Sequence, residues 1–175
     1  MYAGHIGIAL GAKGARPALP LIALVIAAQG PDWIDTVLTG LRVPQAQNEM
    51  WSHSIPSVLL AAAALGIVSL IYWRSRAGLM LPVVYVLHLP ADYLTGMKPL
   101  APGAASIGLQ LYDRPSIDFV LEAIVITVGW KRWKRSLPED RRDRPAAWLL
   151  LVGLLLLQAA ADVAFGVRAA GRGIL

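Results

Sequence analysis

No cysteine occurs among the 175 residues. Disulfides and thiolate metal ligands are therefore excluded. Charge is scarce as well: Asp, Glu, Lys and Arg make up 15% of the chain, against 57% hydrophobic residues and a mean hydropathy of +0.57. That balance is too apolar for an ordinary soluble domain. No basic segment precedes the first apolar stretch, because Lys13 and Arg16 follow it, so no signal peptide is expected. Internal repeats, low-complexity tracts and long linkers are missing too, and residues 1–175 read as one domain. Histidine is rare, with three copies only: His5, His53 and His88.

What the chain does have is length without charge. From Met50 to Trp73, 24 residues carry no Asp, Glu, Lys or Arg, and Ala146–Ala161 is likewise uncharged. A hydrocarbon core about 30 Å thick is crossed by about 20 apolar helical residues, so both runs predict transmembrane helices. The shorter uncharged stretches Pro17–Pro31 and Ala77–Ala91 predict two more. Ile117–Trp130 predicts a fifth, with Asp118 and Glu122 in its first turns. Met1–Ala12 would rise only about 18 Å as a helix, too little to span. The expected fold is all-α: a polytopic membrane bundle of about four to five transmembrane helices plus a short N-terminal helix. A soluble all-helical core is the competing reading.

Basic residues set the expected orientation. Lys13 with Arg16, Arg74 with Arg76, and the seven of the run from Lys131 to Arg144 account for eleven of the sixteen basic residues. A five-span path puts all three clusters on one side, which the positive-inside rule makes cytoplasmic. The loop 131–145 is then a basic cytoplasmic loop with affinity for anionic lipid. It lacks any nucleic-acid recognition fold, and no nucleic-acid partner is expected.

The same path brings the histidines and most acidic residues to the opposite side. Asp32 and Asp35 emerge where the Pro17–Pro31 span ends, and His53 sits where the next span enters. His88 and Asp92, four apart and on one helix face, lie near the end of the following span. Asp118 and Glu122, with the same spacing, begin the next, and His5 opens the chain. Imidazoles and carboxylates are the donors that bind divalent transition metals. A cluster of carboxylates in an apolar protein is costly unless it is protonated or bound to cations. The expected metal ligands are thus His5, Asp32, Asp35, His53, His88, Asp92, Asp118 and Glu122. Each piece also has a plainer reading. Asp32 and Asp35 could cap a helix, Asp118 and Glu122 could be a favourable acidic first turn, and His88 with Asp92 could be a buried hydrogen-bonded pair. Asp162, near the end of the last span, finds no matching partner in the sequence and falls outside the set.

The segments His5, Pro31-Asp32-Trp33-Ile34-Asp35, Ser52-His53-Ser54 and His88-Leu89-x-x-Asp92-x-x-Thr95 resemble the YdjM-type, inner-membrane-associated metal-dependent hydrolases, also called LexA-binding hydrolases. The resemblance covers about residues 1–125. It departs from the family pattern at Asn48, Glu49 and Ser52, where the family commonly reads His-Arg-x-x-Thr-His-Ser. The aspartates of Pro-Asp-x-x-Asp are also one residue further apart than usual. The order His, Asp, His, His-x-x-x-Asp, then Asp118-x-x-x-Glu122, is similar to zinc-dependent phospholipases C, with Asp118 in place of their last His.

Together these features lead to two expectations of function. The first is a metal-dependent hydrolase of the bacterial inner membrane, with its site on the outer face. It would use zinc, with manganese second, against phosphoester bonds of a membrane lipid or lipid-linked substrate. Asp32 or Asp35 would be the catalytic base, and Arg42, Lys98 and Arg114 would bind the phosphate. The alternative is a non-enzymatic metal- or proton-handling membrane protein, or a structural scaffold. Protein partners are not legible in the sequence.

Overall fold

Proline and glycine divide the apolar runs into helices. The computed structural model describes residues 1, 3–43 and 51–171. It is 78% helical, with eight α-helices among the described residues. These are α1 (Gly4–Ala15), α2 (Leu21–Ala28), α3 (Gly30–Gly40), α4 (Ile55–Trp73), α5 (Met80–Thr95), α6 (Pro115–Ser136), α7 (Glu139–Arg142) and α8 (Pro145–Gly171). A short antiparallel ribbon, β1 (Lys98–Pro99) with β2 (Ser106–Ile107), lies in the α5–α6 connection. Asn48 and Glu49 lie outside the described residues. Pro31, Pro56 and Pro115 occupy the first turns of α3, α4 and α6, where a missing N–H costs no helical bond. Pro90 lies inside α5, and the helix continues through it.

Among the described residues three stretches are long and apolar enough to cross a membrane: Ile55–Trp73, Arg76–Thr95 and Pro145–Ala164. The pair α2–α3, bent by 62°, makes a fourth if it is one span. Four is therefore the upper count, and the fifth span expected at Ile117–Trp130 does not qualify. Helix α6 has 22 residues, but Asp118, Glu122, Lys131 and Arg132 offset its apolar ones. The outer surface carries many large hydrophobic side chains, with Leu60 74%, Ile71 71% and Leu149 69% exposed. Helices apolar all round, such as α4, suit a lipid surround.

Helix α1 is the axis of the bundle. Its Ala9 and Ala12 pack with Leu24, Ala27, Leu81 and Val84 of α2 and α5. Its Leu10 packs with Ile126, Trp130 and Leu154 of α6 and α8. A Cβ on Gly7 would stand 2.8 Å from the Ile126 backbone, and one on Gly14 would stand 2.6 Å from that of Arg132. Glycine at both positions lets α1 and α6 run backbone to backbone, a contact that small residues make possible between membrane helices. Because Gly7 meets Ile126 and Gly14 meets Arg132, the two helices are parallel. Chain direction then gathers His5, Asp32, His53, His88, Asp92, Asp118 and Glu122 at one end of the bundle. Lys13, Arg16, Arg74, Arg76 and the Lys131–Arg144 run lie at the other.

Candidate metal centre

Helix α2 ends at Ala28 and α3 restarts at Gly30, a break that Pro31 promotes because it has no N–H to give the preceding turn. The Ala28 carbonyl at this break accepts Nδ1–H of His88 at 2.8 Å. A carbonyl can only accept, so the proton is on Nδ1 and the His88 Nε2 lone pair faces the bundle centre. There it meets three other donors: Asp32 on α3, His53 in the turn before α4, and Asp92 one turn on along α5.

The spacing of these four groups is that of a coordination shell. His88 Nε2 lies 3.2 Å from His53 Nε2, 3.6 Å from Asp32 Oδ1 and 3.4 Å from Asp92 Oδ2. His53 Nε2 lies 3.1 Å from Asp32 Oδ1 and 3.4 Å from Asp92 Oδ2. A tetrahedral ion with bonds of about 2.0–2.1 Å has ligand atoms about 3.3–3.4 Å apart. Asp92, His53 and His88 are buried, whereas the Asp32 side chain is 46% exposed. Asp32 is therefore the mouth of the cluster.

Behind His53 runs a relay. Ser52 donates its hydroxyl proton to Asp35 Oδ1 at 3.1 Å, so its oxygen accepts Nδ1–H of His53 at 2.8 Å. The proton on Nδ1 leaves the His53 Nε2 lone pair pointing inward as well. Such carboxylate-linked bonds orient imidazole ligands and raise their basicity. Asp35, expected as a ligand or a base, is thus one hydroxyl removed from the imidazole. Without an ion the inward Nε2 is where His53 takes a second proton: burial lowers its pKa, but donation from Nε2 to Asp32 and Asp92 outweighs that and holds it above the ordinary imidazole range.

The other expected residues divide. His5 is fully buried and stacks on His88, with ring centres 3.9 Å apart and planes 5° from parallel. Its Nε2 lies 3.4 Å from Asp92 Oδ1, and neither ring nitrogen has a hydrogen-bond partner. Burial, then His88 and the amino group of Met1, hold its pKa far below the ordinary value, so it is a neutral donor. Lys98 places Nζ 3.1 Å from Asp92 Oδ2, which puts its ammonium on the cluster itself. Arg42 and Arg114 are exposed. Asp118 and Glu122, expected as ligands, lie outside the group of four and have other neighbours. Glu122 accepts the Gly4 N–H at 2.8 Å, at the start of α1. Asp118 faces Asp162 of α8 with neither of its oxygens bonded to a donor. Asp162 is itself buried and accepts Gln158 Nε2 at 2.9 Å, so it has the partner the sequence did not show.

Residues missed by spacing alone are Ser52 as the link to Asp35, Thr95, and Gln158. Thr95 Oγ1 and Asp92 Oδ1 both take the amino group of Met1, at 2.5 and 2.7 Å. Gln158 Oε1 accepts Ala3 N–H at 3.0 Å. A lone glutamine in the uncharged run Ala146–Ala161 was the available signal for it.

The family model described as YdjM inner membrane protein matches residues 2–165. No curated protein and no solved structure matches the chain.

Proposed function

Because the chain belongs to the YdjM inner membrane protein family, we propose that it is a membrane-bound, metal-dependent hydrolase of phosphoester bonds in lipid or lipid-linked substrates. One observation carries the reading: four ligand-type atoms from three segments of chain lie within 4.8 Å of one another, each imidazole nitrogen 3.1–3.6 Å from the other three atoms, with both imidazole Nδ1 protons tied outward. Lys98 and the Met1 amino group already pair with Asp92, but the inward nitrogens of His53 and His88 and the Asp32 oxygen still face one another, an arrangement that a cation between them would relieve. The donor set fits a borderline ion such as zinc, with manganese as second choice.

Asp32, His53, His88 and Asp92 would hold the ion, and His5 stands beside them as a further neutral donor. The ion supplies Lewis acidity toward a water and a phosphoryl oxygen. The protein supplies the rest. Asp32 touches both imidazoles through Oδ1, which leaves Oδ2 at the mouth to accept a proton from the attacking water. The water oxygen bonds phosphorus, the ester oxygen leaves as the alcohol after taking up a proton, and the phosphate product stays anionic. Lys98 is the cation nearest that charge. Asp35 and Ser52 hold the His53 ring in place.

An open mouth at Asp32 supports an enzyme over a closed structural site. The crowding of basic residues at the far end supports an outer-face location, with the Lys131–Arg144 loop cytoplasmic. Metal analysis of purified protein, with hydrolysis of bis(p-nitrophenyl) phosphate and of phospholipid, tests the reading. His88→Ala should abolish both metal retention and hydrolysis. A pure, folded wild-type protein that takes up neither zinc nor manganese, or takes them up without hydrolysing anything, would refute the enzyme.

A further inference from the structure

An apolar cavity of about 570 Å³ adjoins the metal cluster, between the bent α2–α3 pair and helices α4 and α5. Small side chains make the room: Ala27 and Gly30 on one wall, Ala61 on the other. Gly30 is required there, because a Cβ would collide with the Tyr85 ring. Trp33 lines the cavity from the same turn of α3 that carries Asp32. Tyr85 lines it from α5, one turn before His88. The cavity and the mouth of the cluster are therefore built from one helix turn.

Two features point to an occupant. First, the Tyr85 hydroxyl is buried without a hydrogen-bond partner in a residue only 5% exposed. Leaving it unpaired costs about 1–3 kcal/mol, and Phe would fill the space without that cost. Ser69, in the same wall, is also unpaired, but a serine in a membrane helix can turn its hydroxyl to the carbonyl one turn back and a tyrosine cannot. Second, the α4 wall runs from Ala61 to Trp73, a rise of about 18 Å. That is more than half of a hydrocarbon core about 30 Å thick, room for one extended chain running down from the Asp32 end.

We propose that this cavity holds one hydrocarbon chain of the substrate, a phospholipid whose phosphoester then lies at Asp32 and whose ester carbonyl takes the Tyr85 hydroxyl. The proposal rests on the hydrolase reading for the identity of the head group. The chain-binding groove itself is tested separately from it.

The full chain, reconstituted in phosphatidylethanolamine–phosphatidylglycerol vesicles, is doped with a phospholipid carrying a photoreactive diazirine in the middle of one acyl chain. After photolysis the cross-linked peptides are mapped by mass spectrometry. Cross-links should concentrate on residues 23–34 and 61–73. In Ala61→Trp, which fills the cavity, they should fall at least tenfold there, with those on the outward face of α8 at Leu149 and Leu156 unchanged and the zinc content retained. Ala27→Leu serves the same purpose if the tryptophan variant does not fold. Cross-links spread evenly over every lipid-facing helix, or unmoved by both variants, would overturn the groove. Activity separates the two proposals. Ala61→Trp should lose long-chain phospholipid hydrolysis and keep cleavage of bis(p-nitrophenyl) phosphate. If it loses neither, the groove falls and the hydrolase stands. If wild type cleaves neither substrate but the cross-links are confined, the hydrolase falls and the groove stands.

Discussion

Asp32 and Asp35 are three residues apart, and the geometry assigns them different work. Asp32 Oδ1 is 3.1 Å from His53 Nε2, while Asp35 reaches His53 only through the Ser52 hydroxyl. Asp32→Asn and Asp35→Asn should therefore separate cleanly. Four-ligand zinc sites bind with about 10–16 kcal/mol, or about 3 kcal/mol per ligand, so loss of the Asp32 carboxylate should weaken binding by more than about 100-fold. Loss of an outer-shell partner costs about 10–100-fold, and Asp35, acting through a hydroxyl, should fall near about 10-fold. Folding should tolerate either change. Asp32 is half exposed, so its removal leaves no carboxylate partner stranded in a sealed core. The assay equilibrates each purified variant with a competing chelator and counts bound zinc by mass spectrometry. Ser52→Ala should lose at least as much as Asp35→Asn, since it removes the oxygen that accepts Nδ1–H of His53, whereas an amide oxygen at position 35 can still accept the Ser52 hydroxyl. If Asp35→Asn loses as much zinc as Asp32→Asn, Asp35 is a ligand and the relay is wrong.

Further expectations follow from neighbouring contacts. Asp162→Asn should leave zinc content unchanged and raise unfolding stability by about 1 kcal/mol in a detergent melt, because the new amide gives Asp118 a donor and keeps the Gln158 bond. A drop in stability would mean that Asp118 itself holds a proton and already donates it to Asp162. The raised pKa of His53 makes opposite pH trends for the two forms. In metal-free protein the pairs of His53 with Asp32 and Asp92 contribute stability fully below about 6.5 and lose it as pH rises through the raised value. In metal-loaded protein falling pH protonates the same nitrogen and releases the ion, so stability should drop; parallel melting curves across pH 6–8 check both directions. A cysteine placed at Ser136 should react with a membrane-impermeant maleimide only in inverted vesicles, and labelling in intact cells would reverse the orientation.

The spacing of His88 and Asp92, the uncharged run lengths and the separation of basic from acidic residues were all legible in the chain. Each of these fixes a position along a helix, and because every residue rises about 1.5 Å, position along a helix is depth in the bundle. Depth was enough to place His5, Asp32, His53, His88 and Asp92 at one end, and to place the basic residues at the other. Facing is a different quantity. Asp118 and Glu122 have the same spacing and depth as a ligand pair, yet α6 packs through Gly129 on Gly7 of α1, and that contact turns its carboxylates toward Gly4 and Asp162. The choice between Asp32 and Asp35 was equally hidden, since it depends on where Ser52 and His53 arrive from a separate segment. Sequence alone determined which groups share a level of the membrane bundle. Only the tertiary structure decided which of them face one another, because the rotation of each helix is set by the close packing of glycine and alanine against distant backbone.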